Sequence, residues 1–294
     1  AKNFTSFMLT ILSIIYLQHP PIVVMHGVYQ NKAMMIPLVQ IIQNALPDVY
    51  VLNCEGISLL DSMFTAIQEQ VDELSTCINN DIRLKDGFVA VGFSQGGYLF
   101  RNYIENYNHI RYPVLRFIGL SNPLGGMYCG DSTKCFFLFK PMVDHLSPEA
   151  IYSDEIQHLI GASNYWRHPL HLDLYLQGAA DLPLLDNLQN YSLQRKLNFV
   201  SVDQYVLFGS PRDGVISPWK SAFFGQFGDS DAEMLNYWER KDFDADLFGL
   251  KTMHLQNRIK TIETEFTHLD YMLPRAKGYL LENMIPWLDL DKKE

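Results

Sequence analysis

Short apolar, partly β-branched runs alternate along this chain with longer stretches whose apolar residues recur at helical spacing. Strands are predicted at residues 22–25, 49–52, 88–91, 114–120, 204–208 and 260–264. Helical periodicity covers residues 32–46, ended by Pro47, then 61–77, the stretch after Ser94, and a final helix reaching about Trp287. Strands alternating with helices over this length predict a mostly parallel sheet covered on both faces, an α/β fold. The rhythm breaks between residues 124 and about 196, where no strand pattern stands out. A segment that long must carry its own structure, and about 122–200 is expected to be a helical cap inserted over a site. Extra helices packed on the sheet edge are the alternative. No internal repeat or low-complexity tract interrupts the pattern.

The sharpest chemistry lies where the third strand meets its helix, at Gly92-Phe93-Ser94-Gln95-Gly96-Gly97. Strand, Gly-x-Ser-x-Gly and helix together are the context of a nucleophile elbow, a strained turn that exposes a serine hydroxyl. Side chains at the flanking glycines would collide with the neighbouring strand and helix. The first strand runs into His26-Gly27, a turn that can aim the next amides at a substrate oxygen; a buried structural His26 reads equally well. The loop after the fifth strand carries Asp213-Gly214, and the last strand leads to His268. Ser94, Asp213 and His268 therefore stand in the chain order of an α/β-hydrolase triad. In that arrangement His268 takes the serine proton, Asp213 holds the imidazole, and the amides of Val28 and Gln95 form the oxyanion hole. The chemistry is acyl transfer to water. The triad alone does not separate ester from thioester, whereas the intact set of Ser94, Asp213 and His268 argues against a catalytically inactive lipid- or protein-binding relative. A thiol, with a pKa near ~8.5, needs less acid assistance to leave than an alcohol.

Composition narrows the setting. The chain has 294 residues, is 48% hydrophobic and carries a formal charge of −10. No basic cluster exists to neutralise a run of phosphates, which argues against a nucleic-acid partner. Residues 4–17 form an apolar run too short for a stable membrane span and suited to a signal-peptide core. Residues 1–19 are thus expected to be a signal peptide and 20–294 a single domain. Sequons begin at Asn3 and Asn190, and only Asn190 lies beyond that leader, as the glycosylation candidate. The four cysteines fit no metal or redox spacing. Cys129 and Cys135 bracket a polar loop; in a secreted chain they are expected to pair, in the cytosol to stay as thiols.

Several motifs resemble the palmitoyl-protein thioesterase family across most of the chain. They are the elbow itself, Asn164-Tyr165-Trp166-Arg167-His168-Pro169 with Asp173-Leu174-Tyr175, Asp213-Gly214-Val215-Ile216-Ser217-Pro218-Trp219 with Phe223-Phe224-Gly225, and Phe248-Gly249-Leu250-Lys251-Thr252. The resemblance implies a lysosomal or secreted α/β-hydrolase that cleaves long-chain fatty acyl groups from protein cysteines or from coenzyme A, with no cofactor and no metal. The Asp-Gly-Val-Ile run is similar to the second of the two animal forms, which favours acyl-coenzyme A, and the elbow and the Cys129–Cys135 loop are similar to the first. Some relatives pair a cysteine near Cys77 with one after the elbow helix. Residues 106–109 hold none, so Cys77 either pairs with Cys54 or is free.

A long acyl chain needs a groove. Burying about 14 methylenes is worth roughly 11 kcal/mol gross, more than a flat sheet edge offers. Phe136, Phe137, Phe139 and Trp166 from the cap, with Ile216 and Trp219 from the acid loop, are expected to line it.

Overall fold

The structure, a computed structural model, describes residues 19–130 and 135–290. The expected signal segment at residues 4–17 lies outside the described residues. Six parallel strands form the central sheet: β1 (Ile22–Met25), β2 (Val51–Asn53), β3 (Phe88–Phe93), β4 (Val114–Leu120), β5 (Gln204–Gly209) and, last in the chain, β8 (Ile259–Glu263). Their order across the sheet is β2-β1-β3-β4-β5-β8, which puts β3 and its following turn near the middle. Between β5 and β8 a small antiparallel ribbon pairs β6 (Gln226–Phe227) with β7 (Met234–Leu235), a feature the sequence pattern does not reveal.

The central strands are apolar at consecutive positions because both faces are covered. Val23, Phe88, Ala90, Phe117, Tyr205 and Leu207 point into a core with α2 (Ile67–Asn79), α3 (Gln95–Tyr107) and α9 (Leu193–Ser201). Ile22, Val24, Val89, Val91, Ile118 and Val206 point the other way, onto α1 (Ile36–Ala45) and α11 (Lys277–Asn283). This is the period-two alternation of strands with a helix layer on each side.

Between β4 and β5 the chain forms α4 (Lys140–His145), α5 (Pro148–Ile151), α6 (Asp154–Leu159), α7 (Leu172–Gly178) and α8 (Leu182–Leu185), then α9. Its strand-like contact among the described residues is an isolated bridge from Met127 to Trp166. The helix α10 (Leu250–Leu255) precedes β8. Disulfides join Cys129 to Cys135 and Cys54 to Cys77, the latter tying the end of β2 to α2.

Two helix starts differ from expectation. The helix predicted over 61–77 begins only at Ile67, because the carbonyls just before it are engaged elsewhere. Those of Ser62 and Thr65 accept from the Gln70 side chain, and that of Met63 from the Gly161 amide. Upstream, Lys32–Met35 winds as a 3-10 turn capped by the Asn31 side chain before α1 starts at Ile36.

Candidate active site

Ser94 sits between β3 and α3 with φ 52° and ψ −129°, the left-handed region that an ordinary side chain avoids. The glycines around it answer to space. A Cβ at Gly92 would lie 2.3 Å from the Gly97 Cα, and one at Gly96 would lie 2.3 Å from the His26 carbonyl oxygen. The turn is pinned from β4 by Asn122, whose Nδ2 donates to the carbonyls of Gly92 and Ser94, both at 2.9 Å. Asn122 escaped the sequence reading; its signal is a polar side chain just past the apolar strand beside the elbow.

The structure brings Ser94, Asp213 and His268 together, all buried. His268 Nε2 lies 3.0 Å from Ser94 Oγ, and His268 Nδ1 lies 2.9 and 3.0 Å from the two carboxylate oxygens of Asp213. A carboxylate only accepts, so Nδ1 carries the proton and Nε2 is left to accept from the serine hydroxyl. Burial by itself would raise the Asp213 carboxyl. The facing charge of His268, its hydrogen bond and the amide of Ile216 outweigh burial and hold it below the ordinary value. The amides of Val215 and Ile216 donate to its Oδ1 at 2.9 and 2.7 Å, so the acid is a firmly aimed anion. His268 opens a 3-10 turn fixed by a reciprocal cap between Thr267 and Asp270, and the Phe93 ring packs against the imidazole at 4.9 Å.

The loop after β1 passes directly beside the serine. A Cβ on Gly27 would lie 2.7 Å from the Ser94 Cβ, so only glycine lets Val28 approach. His26 is buried with its ring nitrogens against the carbonyls of Gly27 and Glu55, at 2.8 and 2.5 Å. Gln95 opens α3, where the first amides have no partner within the helix. Among the described residues no group of three or more His, Cys, Asp or Glu side chains is arranged to hold a metal ion.

A cavity of about 190 Å³ opens at Ser94 and His268, lined also by Val28, Phe136, Phe137 and Phe139. It shares Val28, Leu138 and Phe139 with an apolar cavity of about 260 Å³ bounded by Met63, Phe64, Met142, Leu146 and Ile160. The other expected groove residues lie elsewhere. Trp166 is 1% exposed and packs edge-on against Tyr128 inside the β4–β5 segment. Ile216 is buried and takes part through its amide, and Trp219 faces a separate hollow with Phe223 and Trp238. Asn190 is exposed just before α9.

The strand order and a nucleophile-type elbow define the class as an α/β-hydrolase. In agreement, a crystal structure of a carboxylesterase from Nitrososphaera gargenis superimposes with a TM-score of 0.50 over 92% of both chains at 9% identity, a likeness of fold alone. The chain belongs to the palmitoyl protein thioesterase family, whose profile matches residues 21–268. It is 32% identical to palmitoyl-protein thioesterase 3 of Dictyostelium discoideum, covering 91% of this chain and 92% of that one. It is 30% identical to the human lysosomal thioesterase PPT2, covering 92% and 88% respectively.

Proposed function

We propose that this protein hydrolyses long-chain fatty acyl thioesters, on protein cysteines or coenzyme A, through an acyl-enzyme on Ser94. The observation that carries the reading is a pair of adjoining cavities, one opening at Ser94 and His268 and a larger apolar one that shares Val28, Leu138 and Phe139 with it. An acyl chain attached at Ser94 is buried there, and the family relationship supplies the thioester.

In the first half-reaction Ser94 Oγ attacks the thioester carbonyl as its proton passes to His268 Nε2. Asp213 stabilises the imidazolium, and the amides of Val28 and Gln95 hold the oxyanion. Collapse breaks the carbon–sulfur bond, and His268 returns the proton to the leaving thiolate. Water then attacks the acyl carbonyl as its proton passes to His268 Nε2. Collapse breaks the bond from the acyl carbon to Ser94 Oγ, and His268 returns the proton to Oγ, which releases the fatty acid and restores Ser94.

Residues 122–200 act as a cap whose Phe136–Phe139 turn forms the mouth of the chain site. The setting is the lysosome, in keeping with the names of the relatives, with entry through the secretory route and a glycan on Asn190. Among the described residues no helix is long and apolar enough to cross a membrane. Rates on palmitoyl-coenzyme A and nitrophenyl palmitate test the reading. It requires the larger kcat/KM on the thioester and loss of both activities in Ser94→Ala; a preference for the ester would move the protein among the lipases.

A further inference from the structure

The two amides assigned to the oxyanion come from loops far apart in the chain, and one row of buried hydrogen bonds connects them. Gln70 on α2 is buried, and its Nε2 donates to the backbone carbonyls of Ser62 at 3.0 Å and Thr65 at 2.7 Å. Carbonyl oxygens only accept, so these two fix which way the Gln70 amide points. Its Oε1 then faces away and accepts from Gln95 Nε2 at 2.8 Å. Gln95 is in turn oriented with its own Oε1 outward, where it accepts from the Tyr165 hydroxyl at 2.8 Å. Tyr165 must therefore donate. Burial pushes its phenol far above the ordinary range, which keeps that proton in place. At the other end of the row Ser62 Oγ donates to the Leu59 carbonyl at 2.6 Å and accepts from the Tyr29 amide at 2.8 Å, next to Val28. Each proton in the row has a single consistent position.

We propose that Gln70, Tyr165 and Ser62 are positioning residues that hold the Val28 and Gln95 amides in register with each other. Because Tyr165 lies in the segment between β4 and β5, that register depends on how this segment is seated. The inference rests on the assignment of Ser94 and the two amides above. Its physical basis is that an oxyanion donor works only within hydrogen-bond distance of where the charge develops. Loss of one donor costs roughly a hundred- to a thousandfold in kcat, and a small misplacement is felt as well. The Gln95 side chain is anchored at both ends, so releasing either end lets the first residue of α3 turn. A row that only glued α2, α3 and the inserted segment together would affect melting without any selective loss of transition-state binding.

Tyr165→Phe removes one hydroxyl and keeps the ring, which packs on Tyr98 at 4.9 Å. Gln70→Met keeps the length of the side chain and removes its polar atoms. Ser62→Ala releases the Tyr29 amide and serves if either of the others folds poorly. Each is assayed on a butanoyl thioester, so that chain burial plays little part. Each is also titrated with a butyl boronic acid, whose tetrahedral adduct on Ser94 puts a negative oxygen between the two amides. The expected result is a kcat lowered about ten- to a hundredfold, KM within about twofold, and boronate affinity weakened by the same factor as kcat. Unchanged kcat and boronate affinity in folded variants, with Ser94→Ala inactive, would overturn the positioning role alone. Turnover retained in Ser94→Ala would instead remove the reading beneath it.

Discussion

Asp213 holds His268 by two independent bonds: its main-chain carbonyl accepts the His268 amide at 2.9 Å, and its carboxylate accepts Nδ1–H at 2.9 Å. The backbone bond aligns the two loops, while the side-chain bond selects the tautomer. Asp213→Asn separates these tasks. Val215 and Ile216 keep the remaining oxygen on their amides, so the new NH2 takes the place of Oδ2, 3.0 Å from Nδ1. A donor there opposes the Nδ1 proton and favours the tautomer with the proton on Nε2, the wrong side for Ser94. The expected outcome is a kcat lowered roughly a thousandfold or more with nearly unchanged KM and melting temperature. An undiminished rate would point to a different acid.

Two histidines near the end of the chain provide an internal control. His268 touches Ser94, whereas His254 on α10 bonds the Tyr237 hydroxyl at 2.8 Å among aromatic rings. His268→Ala should cost orders of magnitude in rate, and His254→Ala should lower melting with little effect on kcat. The reverse pattern in steady-state kinetics would mean that the base is misassigned.

The elbow and the two partner loops were legible because their signals are local: a strand, a polar residue at its end, then a helix or a turn. Their meeting follows from parallel strands that all end on one edge of the sheet. The buried bonds of Asn122, Gln70 and Tyr165 are not legible, although Tyr165 stands in one of the family motifs. A polar residue within a helical or cap pattern looks the same whether it meets water or a buried amide. The aromatic residues failed to separate for a related reason. Trp166 and Phe137 are equally apolar in sequence, yet one is 1% exposed within the segment between β4 and β5 and the other 63% exposed at the cavity beside Ser94.

That difference yields a prediction about chain length. Phe139 borders both cavities, so Phe139→Ala should penalise palmitoyl thioesters more than butanoyl ones. Trp166→Ala opens a void in packed structure and should destabilise by about 3–5 kcal/mol, lowering activity on both chain lengths alike. Competition kinetics across acyl lengths distinguish the two, and a long-chain-specific loss in Trp166→Ala would relocate the groove.

Stability should rise toward acid. Burial pushes Asp181 from an ordinary 3.8 to about 6 and Glu105 from 4.5 to about 8. Asp181 is faced by Tyr98, Asn102, Arg101 and Arg195, and Glu105 by Arg101, Asp186 and Arg195. With folded values above unfolded ones, the folded chain binds the extra protons. Their stabilisation is complete below the unfolded values and is lost as pH climbs through about 6 and then about 8. Asp213, lowered on folding, acts oppositely only below the ordinary carboxylate range. Burial, with His171 beside it, holds His168 down from 6.5 to about 4 and offsets part of the gain below about pH 6.5. Melting temperature should therefore be higher at about pH 5 than at pH 8, and Asp181→Asn should flatten the lower part of that change. A melting temperature that climbs steadily to pH 8 would contradict this.

The central claim is that Ser94 carries the acyl group, and intact-protein mass spectrometry after rapid acid quenching tests it most directly. With palmitoyl-coenzyme A as donor, the account predicts one palmitoyl adduct per chain, mapped by peptide sequencing to Ser94 and absent in Ser94→Ala. An adduct on another residue, or turnover that persists in Ser94→Ala, would contradict it.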